Sequence, residues 1–81
     1  MPKTIFQGPH TQLVETLVEA RKKAGLTQAQ LATRIARDQT FISLIERGQR
    51  RVDVIEFIEI ARALSADPVE LFGEVVERVP E

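Results

Sequence analysis

The sequence lacks cysteine, tryptophan and tyrosine, and it has a single histidine among its 81 residues. Without cysteine, the chain has no disulfide framework, no thiolate zinc site and no cysteine nucleophile. The one histidine, His10, has no second imidazole to complete a metal site, and no histidine follows Ser43 to activate its hydroxyl. We therefore expect no catalytic residue, no metal and no cofactor, and we do not expect an enzyme.

Long apolar runs are also missing. No segment approaches the roughly 20 apolar residues that a bilayer-spanning helix needs. The N-terminal segment MPKTIFQGPH lacks the apolar stretch of a secretory signal. We expect one small, soluble, cytoplasmic domain without membrane contact.

Charge is distributed unevenly along the chain. Residues 21–51 carry eight basic side chains against two acidic ones, a net charge of +6, whereas residues 52–81 carry two against eight, a net charge of −6. The overall net charge of −1 conceals this polarity. A compact basic segment favours binding to a polyanion, and duplex DNA is the first candidate.

Apolar residues recur at spacings of three and four from residue 11 onward, which predicts an all-α fold with five helices. Predicted helix starts are the capping residues Thr11, Thr27, Asp38, Asp53 and Asp67, and Gly25 and Gly48 mark helix ends. The fifth helix begins at Pro68 and extends to Phe72 or as far as Val79. The predicted core residues are Leu13, Leu17, Leu31, Ile35, Ile42, Ile45, Val54, Phe57, Ile58, Ala61 and Leu64.

The chain divides into an arm over residues 1–10, a domain over 11–72 and an extension over 73–81. In the arm, Ile5 and Phe6 belong either to a disordered tail or to a segment that packs on the domain or on a partner subunit. Apolar residues near the C-terminus exceed what a four-helix core requires. Although such residues more often belong to a core, we predict that they form a homodimer contact, made by Phe72, Val75, Val76 and Val79.

Residues 26–51 contain two short helical patterns separated by a tight break, which is typical of a helix-turn-helix unit. Ala32 provides the small side chain that close packing of the two helices needs. On the second helix, polar side chains fall on the face opposite Ile42 and Ile45, namely Gln39, Thr40, Ser43 and Arg47. Glutamine pairs with adenine edges in the major groove, and threonine and serine bond to several bases.

At these positions the chain resembles the lambda-repressor-like family, whose members are often called Xre or Cro-type regulators. The resemblance extends from about Thr11 to Phe72. It is carried by Leu26-Thr27-Gln28, Leu31-Ala32, Phe41-Ile42-Ser43, Ile45-Glu46-Arg47-Gly48, Arg50-Arg51 and Asp53-Val54-Ile55-Glu56-Phe57. It implies a five-helix DNA-binding domain with a helix-turn-helix.

The resemblance also implies roles for individual residues. Base contacts are expected from Gln39, Thr40, Ser43 and Leu44. Contacts to the DNA backbone are expected from Gln28, Arg47, Arg50 and Arg51. Gln28 is also expected to support the second helix of the helix-turn-helix, which is the helix that contacts the bases. Arg21 and Glu46 match an ion pair between the first and third helices.

Three residues depart from the family pattern. Ala36 occupies a turn position where glycine is usual and the backbone is commonly left-handed, so alanine there costs roughly 1 kcal/mol or forces another turn. Leu44 is apolar where a polar residue is common. Asp38 places a negative charge near the groove, where it would repel phosphate unless it caps the third helix or accepts a hydrogen bond from a cytosine.

The resulting hypothesis is a sequence-specific transcriptional regulator that binds double-stranded DNA as a dimeric repressor. Twofold pairing would place two reading helices about 34 Å apart. The alternative is an antitoxin or adaptor whose acidic C-terminal half binds another protein. A third hypothesis is an interaction module of the same fold that does not bind DNA.

Overall fold

A computed structural model describes residues 8–81 as five helices without a strand. They are α1 (Pro9–Lys23), α2 (Gln28–Arg34), α3 (Gln39–Glu46), α4 (Val54–Ala63) and α5 (Pro68–Arg78). The predicted all-α class is confirmed. The predictions for Ile5 and Phe6 fall outside the described residues.

The first helix begins earlier than predicted. Gly8, rather than Thr11, is the N-cap, and Pro9 is the first helical residue. Proline suits this position because its fixed φ is already helical and it has no N–H left without a partner. The Thr11 amide donates to the Gly8 carbonyl at 2.9 Å, so Thr11 lies inside the first turn.

Side-chain caps fix the starts of three other helices. Thr27 with Gln30, and Asp53 with Glu56, form reciprocal capping boxes at α2 and α4. Asp67 accepts a hydrogen bond from the Val69 amide at the start of α5. These three predicted caps are confirmed. Asp38 occupies the N-cap position of α3, but its side chain makes no capping hydrogen bond.

One core connects all five helices. Its buried members are Leu17, Leu31, Ala32, Ile42, Ile45, Phe57, Ile60, Ala61, Leu64, Leu71 and Val75. Two predictions on α4 are wrong, because Val54 is 72% exposed and Ile58 is only half-buried outside this cluster. The buried stripe of α4 contains Phe57, Ile60 and Ala61. Ile58 is turned about 100° away from Phe57 around the helix axis, and Val54 is the first residue of the helix.

The first four helices end with the same left-handed turn. The left-handed residues are Gly25, Ala36, Gly48 and Ser65, with φ between 56° and 76°. At α2, the Arg37 amide donates to the Ala32 carbonyl at 2.9 Å, which is the long bond of a Schellman motif. Ala36 therefore keeps the turn geometry that glycine usually provides, and α3 leaves α2 in the direction that this turn fixes.

Replacing Ala36 with glycine is expected to stabilise the fold by about 1 kcal/mol, because alanine carries a steric cost at positive φ that glycine does not. Denaturant unfolding measures the change. Gly25→Ala is the matched control: a methyl group there has no atom within 4 Å, so only the left-handed strain is added, and stability should fall by about the same amount. Equal stability of Ala36→Gly and the original chain would show that the turn is unstrained.

Candidate nucleic-acid interface

The third helix presents the polar face predicted for DNA reading. Ile42 and Ile45 are buried, whereas Gln39, Thr40 and Arg47 are exposed. Ser43 lies on the same face as Gln39 and is half-buried, as is Leu44. The structure thus places the predicted base-contacting residues along one helix, with the most exposed ones in its first turn.

A polar network joins α3 to α1 and α2. The predicted ion pair is present: Arg21 Nε lies 2.7 Å from Glu46 Oε2, and a second Arg21 nitrogen lies 3.0 Å from Glu46 Oε1. Both side chains are about 90% buried. Arg21 also donates to the Leu26 carbonyl at 2.8 Å, which links α1 to the loop before α2. The end of α3 is therefore fixed by a two-bond ion pair.

Gln28 extends this network toward the start of α3. Its Nε2 donates to Glu46 Oε1 at 2.9 Å, and its Oε1 accepts a long hydrogen bond from Gln39 Nε2 at 3.4 Å. The amide of Gln39 is consequently oriented by a chain of contacts that begins at Arg21. This geometry agrees with a buttressing role for Gln28.

A second cluster, which the sequence did not indicate, surrounds Phe41. The guanidinium carbons of Arg37 and Arg50 lie 4.4 Å and 4.5 Å from the centre of the Phe41 ring, within cation–π range. Arg50 also donates to both carboxylate oxygens of Glu56, at 2.9 Å and 2.8 Å. We call these four residues, Arg37, Phe41, Arg50 and Glu56, the Phe41 cluster.

Glu56 carries the negative charge of the Phe41 cluster and faces both of its arginines. It is only 7% exposed, and its carboxylate also accepts from the Asp53 amide at 3.1 Å. The hydrogen bonds from Arg50 hold the pKa of the Glu56 carboxyl below its usual value, and the same contact raises the pKa of Arg50. Glu56 is therefore ionised at neutral pH, and Arg50 is held by it.

The other predicted backbone contacts lie beside α3. Arg47 is exposed at the helix end, where its Nε donates to the Ser43 carbonyl at a long 3.4 Å. Arg51 is exposed in the loop before α4 and is close enough to His10 to lower its pKa, although burial of His10 is the larger cause.

The C-terminal helix has a buried side and an exposed apolar side. Val75 is 6% exposed and Val79 packs against the core, whereas Val69, Phe72 and Val76 are 80%, 54% and 58% exposed. Val75, predicted as a dimer contact, is instead a core residue of the protomer, since it follows Leu71 by one turn on the buried stripe. α5 also continues without a break across the boundary predicted at residue 72.

Residues 8–81 contain neither a membrane-spanning helix nor a metal-binding cluster. No helix in this range is long and apolar enough to cross a membrane. The same range contains no group of three His, Cys, Asp or Glu side chains arranged to hold a metal ion.

The sequence and the fold match helix-turn-helix proteins. The helix-turn-helix domain family matches residues 12–71. The chain is 41% identical over 51 residues to an uncharacterised HTH-type transcriptional regulator, y4dJ, of Sinorhizobium fredii, a match that spans 63% of this chain and 66% of that protein. The chain belongs to the lambda-repressor-like helix-turn-helix family of DNA-binding transcriptional regulators.

Two solved structures are similar over most of the chain. An XRE-family-like protein from Pseudomonas syringae pv. tomato is 40% identical with a TM-score of 0.82, covering 89% of this chain and 88% of that one. The restriction-modification controller protein C.Esp1396I, solved as a tetramer with its natural 35-base-pair operator, is 25% identical with a TM-score of 0.79, covering 88% and 93%. The five-helix arrangement is thus shared with a protein that binds operator DNA.

Proposed function

We propose that this chain is a sequence-specific transcriptional repressor that binds operator DNA as a homodimer in the cytoplasm. The observation that carries the proposal is the exposed polar face of α3, braced at both ends by the network of Arg21, Glu46, Gln28 and Gln39. A helix that reads bases must hold its side chains in register with base edges, and this network fixes both the helix and its first reading side chain.

Base contacts are assigned to Gln39, Thr40, Ser43 and Leu44. The Gln39 amide offers a donor and an acceptor to an adenine edge, and the hydroxyls of Thr40 and Ser43 bond to several bases. Leu44 has no polar group, so its contact would be an apolar one, with a thymine methyl group. The four positions follow from the family resemblance; Gln39 and Thr40 are exposed, and Ser43 and Leu44 are half-buried.

Backbone contacts are assigned to Gln28, Arg47, Arg50 and Arg51. Arg47 and Arg51 are exposed and flank α3 at its end and in the following loop. Two nitrogens of Arg50 already donate to Glu56 and to the Arg51 carbonyl. Arg50 can therefore contact phosphate only through its remaining N–H groups. Neutralisation of phosphates by these side chains would release counterions, so binding should weaken steeply with salt.

The dimer is proposed to form through the exposed apolar side of α5, with Phe72 and Val76 at its centre and Val79 at its edge. A contiguous apolar surface is unusual on a small monomer unless a partner covers it. The nearby acidic residues Glu70, Glu74 and Glu77 are exposed and would keep this side of the molecule away from phosphate. Operator binding by a tetrameric relative of the same fold supports self-association.

The experiment that tests the function is titration of a fluorescent duplex pool with the intact chain at several salt concentrations. The logarithm of the binding constant is expected to fall linearly with the logarithm of salt concentration, with one phosphate contact contributing about −0.9 to the slope. Absence of binding at low salt would contradict the proposal. Retention of another protein by such a non-binding chain would instead favour the antitoxin or adaptor hypothesis.

Gln39→Ala is expected to relax base preference at one operator position by about 1–3 kcal/mol, because a bidentate contact to one base is lost. Competition between the operator and single-base variants measures this preference. The salt dependence should stay unchanged, because glutamine carries no charge. Gln30→Ala is the control: Gln30 is exposed on α2 and caps that helix, so its replacement should preserve the preferred sequence. An unchanged preference in Gln39→Ala would show that this residue does not face the bases.

A further inference from the structure

Arg37 has the least satisfied charge in the Phe41 cluster. Its nearest guanidinium nitrogen lies 3.8 Å from Glu56 Oε2, which is beyond hydrogen-bond distance, and its side chain is 42% exposed. Arg50, in contrast, takes both oxygens of the same carboxylate. One carboxylate faces two guanidinium groups, so the cluster has a net charge of +1. The side chains of Arg37 and Arg50 are 42% and 36% exposed, but only Arg50 is hydrogen-bonded to the carboxylate, so the charge of Arg37 is the less neutralised of the two.

The backbone and the Phe41 ring together fix where this charge lies. The Arg37 amide is held by the Ala32 carbonyl in the turn after α2, and the residue directly precedes the N-cap of α3. Its guanidinium stacks on Phe41, one turn further along the chain, and so lies beside the first turn of α3. Gln39 and Thr40 are exposed in that same turn.

We propose that Arg37 is a DNA-phosphate contact, and that Phe41 is its positioning residue. The inference rests on the proposed function and adds to it a residue that the sequence pattern had left unassigned. An arginine presents a planar fork of N–H donors that matches phosphate oxygens, and stacking on an aromatic ring lowers the entropy lost when it binds. Arg50 then serves mainly to neutralise Glu56, so that the carboxylate does not repel the phosphate.

The test compares the salt dependence of duplex binding for Arg37→Gln and Arg34→Gln. Both variants lose one positive charge from the same basic segment. Arg34, however, is directed away from the Phe41 cluster and donates to the Ala63 carbonyl at the end of α4, at 3.0 Å. Arg37→Gln is expected to reduce the log–log slope by about 0.9, the contribution of one phosphate contact, and Arg34→Gln by clearly less.

Two further variants separate binding from structure. Arg37→Lys keeps the charge, so the slope should stay near the original value while affinity falls several-fold through the loss of the planar fork. If Arg37→Gln fails to fold, Arg37→Met takes its place, because methionine still packs on an aromatic ring but has no charge. Thermal unfolding should be similar for the Gln, Met and Lys variants that fold.

The outcomes distinguish this inference from the proposed function. If the original chain binds with a steep slope, and Arg37→Gln or Arg37→Met changes that slope no more than Arg34→Gln does, Arg37 does not contact phosphate and the inference is overturned. If the original chain binds no duplex at low salt, the proposed function itself fails. A selective loss of slope in the uncharged Arg37 variants supports both.

Discussion

A chain carrying Phe72→Asp and Val76→Asp is expected to be monomeric at micromolar concentration and to bind its operator about 100-fold more weakly than the original chain. Val76 is 58% exposed, and Phe72 is 54% exposed with its ring packed edge-to-face on the core residue Phe57 at 5.8 Å. Thermal unfolding of the double variant must therefore show that the protomer stays folded. In a dimer the two side chains would be buried together, and two carboxylates on each side would be desolvated and would repel each other. Loss of pairing removes the avidity of two linked half-site contacts, which is of order 10²–10⁴.

Molecular mass from light scattering or sedimentation, combined with operator titration, measures both effects. Ser65→Asp is the control, because Ser65 is exposed outside both the basic segment and α5, so its replacement adds a carboxylate without changing either surface. Point substitutions are preferable to truncation after Phe72, since truncation would remove the core residue Val75. A double variant that keeps both the original mass and the original affinity would refute the α5 contact.

The second large effect is expected from Glu46→Ala, which should destabilise the fold by about 3 kcal/mol. Removal of the carboxylate leaves the guanidinium of Arg21 about 90% buried without its charge partner, and losses of about 3–5 kcal/mol are typical when a buried ion pair is broken. Gln28 also loses the acceptor of its Nε2 hydrogen bond. Without Glu46, Gln28 would also no longer be held in the position from which it orients the Gln39 amide. Base preference at the operator should therefore weaken even at temperatures where the variant stays folded.

Glu19→Ala is a matched control for this effect. Glu19 also joins two helices through a two-bond pair with an arginine, Arg78, at 2.7 Å and 3.2 Å. That pair is exposed, with 64% of the Glu19 side chain accessible, so water and salt screen it and its removal should change stability little. Denaturant unfolding of both variants decides the matter: equal losses would show that burial does not strengthen the Arg21–Glu46 pair.

Local signals in the sequence predicted much of this arrangement. Thr27, Asp53 and Asp67 cap helices because their short side chains reach the backbone amides two or three residues ahead, a contact that depends only on nearby residues. The Arg21–Glu46 pair spans 25 residues, and it was found through the family resemblance rather than through spacing. The same resemblance identified Gln28 as a residue that supports α3.

Other features depend on how the helices pack. Val54 and Val75 both fit an apolar helical pattern, but only Val75 faces the rest of the core, because Val54 lies at the exposed start of α4. The Phe41 cluster brings together residues from a turn, a helix, a loop and a second helix. Each residue has an ordinary local role, such as that of Glu56 in a capping box. None of these roles indicates that the guanidinium groups of Arg37 and Arg50 both pack on the ring of Phe41.

Selection of bound duplexes from a random pool with the intact chain tests the central claim most directly. If α3 reads bases in a twofold dimer, the selected sequences should contain two inverted half-sites whose centres are about one helical turn, or a whole number of turns, apart. The Gln39→Ala chain should select the same spacing with relaxed preference at one position in each half-site. A selected pool as random as the starting one, at a salt concentration where the chain still binds, would contradict sequence-specific reading by α3.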